Sequence, residues 1–229
     1  MTYADWAALA LFLILWLGYE PILRHVGKQS GAIATDLTVV RGAWMRAMAT
    51  RRDTRLLDSQ LLGHVINSAS FFTSSNLILI AAVAGALFGG RASLNGVHAI
   101  GVAATSLPLL QAKLALVVAA LARGFQSFIW SIRQLNYCLA LVGAAPDSDS
   151  DPVKLDLYAE AASEVLNPAL SAFSQGVRGY YFALAAGAWL LGPAPFALVT
   201  VGAFALLVYR QSRSRSAKNV RRIRALLES

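Results

Sequence analysis

Several stretches of this chain run for about 20 residues with almost no charge, the length needed to cross a hydrocarbon core about 30 Å thick. A soluble fold has nowhere to put them. An amphipathic helix shows its apolar residues as a stripe, whereas here they fill whole blocks. Of the 229 residues, 57% are hydrophobic and 14% charged, against about 25% charged in an ordinary soluble domain. The expected fold class is therefore all-α: a polytopic transmembrane helical bundle forming one membrane domain over 1–229. Four spans are expected, near 6–23, 70–88, 108–130 and 179–209, with amphipathic helices between them and a basic tail over 210–229.

Trp6, Trp16 and Tyr19 suit the interfacial ends of the first span, where amphipathic rings sit at headgroup level. Pro21 falls near its end. The segment does not read as a cleavable signal peptide. It carries Asp5, has no Lys or Arg ahead of the apolar run, and ends in Trp16-Leu-Gly-Tyr19 rather than a small-x-small site. It is expected to stay as an anchor.

Between Arg24 and Ile66 seven basic residues face three acids, so by charge this loop belongs on the cytoplasmic side. Thr35-Asp36 marks a helix start, and Val39, Val40, Ala43, Trp44 and Ala47 recur at helical spacing behind it. A second amphipathic helix begins at the Asp147–Pro152 turn. Its inner face is Leu155, Tyr158, Ala162, Val165 and Leu166, its outer face Asp156, Glu160 and Glu164, and Asn167-Pro168 is expected to interrupt it.

The last apolar region, 179–209, has about 31 residues and would be about 46 Å long as one helix. Gly192-Pro-Ala-Pro195 lies near its middle, so a helix kink is expected at Pro193 and Pro195. The tail behind it holds seven basic residues and one acid.

Four spans leave the first loop and the tail on opposite sides, yet both are basic, and the positive-inside tendency cannot serve both. A fifth crossing would reconcile them. Its place in the sequence is 97–145, split near Arg123-Gly124, where the crossings would be short and polar. A basic tail can also be translocated or held at headgroups, so four is the working count.

Two groups of residues stand out. In the second span Ala81, Gly85 and Gly89 recur every four residues, a helix-packing pattern that lets backbones approach closely. Gln126, Arg133 and Tyr137 share a helix face with Trp130, and Asn136 is beside them. With Arg178, which precedes Tyr180-Tyr181-Phe182, these form the candidate polar site: Gln126, Arg133, Asn136, Tyr137 and Arg178. An arginine at mid-membrane depth must pair or face water, whereas one near a helix end only snorkels.

Nothing resembles an enzyme site. There is no phosphate-binding loop, Gly-x-Ser-x-Gly, His-Glu-x-x-His or paired-cysteine motif. His25, His64 and His98 lie far apart, and Cys138 is the single cysteine. No catalytic residue, cofactor or metal is expected. The net charge of +8 would suggest nucleic acid in a soluble protein. Here the basic residues flank apolar spans, so the expected partners are anionic headgroups of membrane lipids, and no nucleic acid.

Gly18-Tyr19, Arg41-Gly-Ala-Trp44, Gln126-Ser-Phe-Ile-Trp-Ser-Ile-Arg133, Asn136-Tyr137, Arg178-Gly-Tyr-Tyr-Phe182 and Trp189-Leu-Leu-Gly-Pro-Ala-Pro195 follow one another along the chain. In order and spacing they resemble the integral membrane family named domain of unknown function 599, found in bacteria and plants. The resemblance spans about residues 18–209. It implies about four membrane helices and no established activity, and it draws interest to Arg133 and Arg178.

The functional expectation is a structural or interaction component that forms a homo-oligomer or joins a membrane-protein complex. The alternative is an oligomeric channel or transporter for ions or small solutes. The expected location, from the resemblance and the lack of a transit or retention signal, is a bacterial inner membrane.

Overall fold

The computed structural model describes residues 1–30, 33–51, 55–99 and 106–228, with 23–30 and 97–99 described as backbone only. The basic side chains of Arg24, Lys28 and Arg52 and the imidazoles of His25 and His98 lie outside the described residues.

The described helices, in chain order, are α1 (Tyr3–Ser30), α2 (Ile33–Thr50), α3 (Arg55–Phe88), α4 (Gly90–Ala99), α5 (Leu107–Gly143), α6 (Pro152–Ala188), α7 (Pro193–Ser212) and α8 (Arg215–Glu228). No strand occurs among the described residues. Four helical stretches are long and apolar enough to cross a membrane: Tyr3–Ile22, Arg55–Phe88, Leu107–Gly143 and the one opening at Pro193. The chain is thus an all-α membrane protein. At 1.5 Å per residue, α3, α5 and α6 are each about 50–55 Å long, well beyond the hydrocarbon thickness, so part of each lies outside it.

The chain packs as two compact units. One gathers 1–25, 74–126 and 176–209; the other gathers 26–73, 127–175 and 210–229. Charge separates them: fifteen of the 20 basic residues and ten of the 12 acids belong to the second.

In the first unit the core is aromatic and small-residue packing. Phe12 meets Phe182 and Phe196, at ring-centroid distances of 6.0 and 5.3 Å, and Trp189 stacks on Phe196 at 5.0 Å. Tyr19, two turns further along α1, meets Phe182 and Phe204. These pairs fix directions. Advancing along α1, its partners advance along α7 but retreat along α6 from Trp189 through Phe182 to Arg178. So α6 runs antiparallel to α1 and α7 parallel to it. Ala120, Gly124, Gly176 and Gly179 bring α5 and α6 into backbone contact, with a Cβ on Gly179 falling 2.9 Å from the Gly124 Cα.

The region 179–209 is therefore not one kinked helix. α6 closes in a 3-10 turn over Trp189–Leu191, Gly192 takes φ +124°, and α7 starts at Pro193. That φ is open to glycine alone, and a proline at the first position of a new helix loses no hydrogen bond. The chain reverses here. Pro193 and Pro195 stand in the first turn of α7, not inside a bent helix.

In the second unit Met45, Met48 and Ala49 of α2 pack with Leu62 of α3, Leu135, Cys138 and Val142 of α5, and Leu155, Ala159, Ala162 and Leu166 of α6. Phe72, Phe128 and Phe173 form an aromatic cluster, with Phe72 stacked on Phe128 at 5.7 Å. The Asp147–Pro152 helix start holds, with the Val153 N–H donating to Asp151 Oδ1, and Asp156, Glu160 and Glu164 are exposed as the spacing predicts.

α6 passes through Pro168 without a break because Leu166 and Ala169 on either side are fully buried, so packing holds the turn that the ring weakens. α5 is continuous through Arg123-Gly124, which excludes two crossings there. The helix expected behind Thr35-Asp36 is α2: Met45, Met48 and Ala49 are buried, Val39, Val40, Ala43 and Trp44 are half-buried, with Trp44 packed on the core, and Ala47 is exposed.

Candidate functional site

The proposed polar face of α5 exists, and it points outward. Gln126, Arg133, Asn136 and Tyr137 are all exposed. Arg133 Nε donates to the Tyr137 hydroxyl at 2.8 Å, and Asn136 Nδ2 donates to the Ile132 carbonyl at 2.9 Å. Both bonds stay within α5. The inward polar residues of this helix are others, Ser131, which donates to the Ala169 carbonyl, and Gln134. Spacing shows that residues share a face; it does not show which face meets the core.

Arg178 takes its partners from α1 instead. Its Nη2 donates to Glu20 Oε1 at 3.1 Å, and its guanidinium lies over the Tyr19 ring, 5.0 Å from the centroid. The Arg178 side chain is 14% exposed. A cation held over an aromatic face and paired with a carboxylate is the arrangement expected of a charge partly withdrawn from water.

A second charge cluster closes the other end of α1. Thr2 and Asp5 form a capping pair: the Asp5 N–H donates to Thr2 Oγ1, and the Thr2 N–H and hydroxyl donate to Asp5 Oδ2. Asp5 Oδ1 accepts the Trp189 indole N–H at 2.9 Å. Lys113 Nζ sits 5.9 Å from the centroid of that indole, within electrostatic reach of Asp5. Asp5 and Lys113 are 4% and 5% exposed. From Asp5 to Glu20 α1 rises about 22 Å. Between these two residues α1 itself carries no charge.

The second unit holds two buried carboxylates, Asp36, which the sequence marks only as a helix start, and Asp58. Asp36 on α2 accepts from Arg224 Nη1 at 3.1 Å and lies 3.6 Å from Arg221 Nε, both on α8. Asp58 on α3 accepts the Trp44 indole N–H at 2.7 Å and Arg51 Nη2 at 3.1 Å. Burial pulls the Arg41 guanidinium below its ordinary range, and Arg41 reaches Asn167 Oδ1 at 3.4 Å. The signal for Asp36 was present in the tail, where Arg221 and Arg224 share a helix face at i, i+3.

Each of these buried acids is held by an arginine or an indole from another helix or segment, which makes them fasteners between parts of the chain. Among the described residues no three His, Cys, Asp or Glu side chains converge as a metal ion would require.

Ala81 and Gly85 are exposed on α3 and Gly89 is exposed just beyond its end; a Cβ on Gly85 would meet no described atom within 4 Å, whereas one on Gly89 would meet the Ser93 side chain and the Gly85 carbonyl. Close helix approach within the chain uses Gly124, Gly176 and Gly179 instead.

The family described as "Protein of unknown function, DUF599" matches residues 7–216. The chain belongs to this family. No curated protein and no solved structure matches it. Membership of DUF599 agrees with the apolar helices above and assigns no role to Arg178, Asp5 or Asp36.

Proposed function

We propose that this DUF599 chain is a non-catalytic structural or interaction component of the membrane, assembling with itself or with another membrane protein through α3. The observation that carries this is the outward Ala81/Gly85 stripe, flanked by exposed Leu77, Ile78 and Phe88. Small residues on a lipid-facing helix permit close approach by a second helix, and among the described residues nothing packs within 4 Å of a Cβ position at Gly85. Gly85→Leu should shift the purified protein in mild detergent to a smaller species. Unchanged size on native gels and in light scattering would count against assembly through this face. A bacterial inner membrane is the proposed location. A conduit would have to form between copies, since Gln126, Arg133 and Asn136 face away from their own chain.

Anionic lipid headgroups are the proposed second partner, met by α8. Ile223, Leu226 and Leu227 are exposed at i, i+3 and i+4. Arg215, Lys218 and Arg222 are exposed along their flank. A basic helix with an apolar strip, three residues after a span, fits the bilayer surface. In proteoliposomes a fluorophore on Leu226→Cys, placed in a Cys138→Ala chain, should shift to the blue when anionic lipid is added. Arg215→Gln, Lys218→Gln and Arg222→Gln together should abolish the shift. An equal shift in neutral vesicles would remove the electrostatic part.

A further inference from the structure

We infer that α6 crosses the membrane as a fifth span, so that the chain crosses five times and α2 and α8 share one side. Side chains in contact cannot be separated by a hydrocarbon core of about 30 Å. Asp36 on α2 pairs with Arg224 on α8 at 3.1 Å, so those helices lie on one side. Arg46 on α2 lies 3.8 Å from Asp156 near the start of α6, which adds that end of α6. Arg55, the first residue of α3, donates to the carbonyls of Ala145 and Pro146 between α5 and α6. So α3 and α5 carry the chain across and back, and α6 with α7 must together make an even number of crossings. α7 holds no charged residue from Pro193 to Tyr209 and exposes Leu198, Val201 and Leu206, which makes it a span. α6 must then be one as well. α4 cannot substitute: at 10 residues it is about 15 Å long.

A different set of contacts says the same. α6 runs antiparallel along α1 from Trp189, bonded to Asp5, to Arg178, bonded to Glu20. It therefore traverses the full apolar length of α1, and the turn at Gly192 lies at the level of the α1 N-terminus. Composition hides this span because it is a packed one. Phe182, Ala183, Ala185, Ala186 and Trp189 are buried, so few of its residues need to please lipid, and Arg178 is neutralised by Glu20. Five crossings also put both basic segments, the first loop and the tail, on the same side.

The test is single-cysteine labelling in a Cys138→Ala chain, with Tyr3→Cys, Asp147→Cys, Leu191→Cys and Ser216→Cys, all at exposed residues. A membrane-impermeant maleimide is added to right-side-out and to inverted vesicles, with detergent-solubilised protein as the reactivity reference. Tyr3→Cys and Leu191→Cys should label from one face, and Asp147→Cys and Ser216→Cys from the other. Labelling of Leu191→Cys from the Asp147→Cys face, or from neither face while it reacts in detergent, would overturn the fifth span. So would Ser216→Cys and Asp147→Cys on opposite faces. Trypsin on the unsubstituted chain reads the same alternation without variants: Lys154 and the tail arginines should be cut from the same face, and cuts from opposite faces would overturn it.

Discussion

Gly179→Val should leave little folded protein. A Cβ at 179 would lie 2.9 Å from the Gly124 Cα, 3.4 Å from the Gly124 N and 3.5 Å from the Ala120 carbonyl. Those are backbone atoms of α5, which cannot rotate away, so α5 and α6 would have to separate along the contact. Separation would loosen Val117, Leu121, Phe182 and Ala186, which share the buried core of that unit. Overpacking of this kind costs about 1–3 kcal/mol, and more where backbone must move. Gly179→Ala should lower the thermal midpoint in detergent by several degrees, and Gly179→Val should aggregate on size exclusion. Gly63→Ala is the control. Nothing lies within 4 Å of its Cβ position, and replacing a helical glycine there should stabilise by about 0.5–1 kcal/mol. A Gly179→Val protein that purifies and melts like the parent would show that α5 and α6 do not approach this closely.

The same contact marks what sequence can and cannot report. The apolar blocks near 6–23, 70–88 and 108–130 fall within described helices because block length is a direct readout of bilayer thickness. The periodicity behind Asp151 gave the buried face of α6 correctly, since Leu155, Ala162 and Leu166 repeat at helical spacing and are buried. The glycines were harder. Gly85 sits in a regular small-residue pattern, yet a Cβ there would meet no described atom within 4 Å, while Gly124, four residues from Ala120, and Gly179, four from Ala183, bring two helices into backbone contact. Their relation is between helices distant in sequence, which no local spacing encodes. The same holds for charge. Arg133 looked notable because its neighbours recur every three or four residues, yet it is exposed. Asp36 reads as a helix start and Asp58 as one of three acids in a basic loop, and both are buried by partners supplied from elsewhere. The turn at Gly192 was legible as a disturbance. Whether a Gly-Pro-Ala-Pro sequence bends a helix or reverses it is decided by what the two arms pack against, here Phe12 and Tyr19 of α1.

Asp5→Ala should be the most damaging single loss of a charge. It removes the acceptor for the Trp189 indole N–H and for Thr2, and it leaves Lys113 buried without its counter-charge. Leaving a buried donor without its charged acceptor costs about 1–3 kcal/mol, and losing the capping pair adds about 1 kcal/mol. Lys113→Met should cost less, because Asp5 keeps the donors from Trp189 and Thr2. The double variant Asp5→Ala/Lys113→Met should recover part of the loss, since the lysine charge that Asp5 offsets across the Trp189 ring is removed with it. Thermal unfolding of the four proteins in one detergent gives the coupling directly. A double variant whose loss equals the sum of the two single losses would mean that Asp5 and Lys113 act independently. The cluster would then be a helix cap beside an unrelated lysine rather than a pair joining α1, α5 and α6.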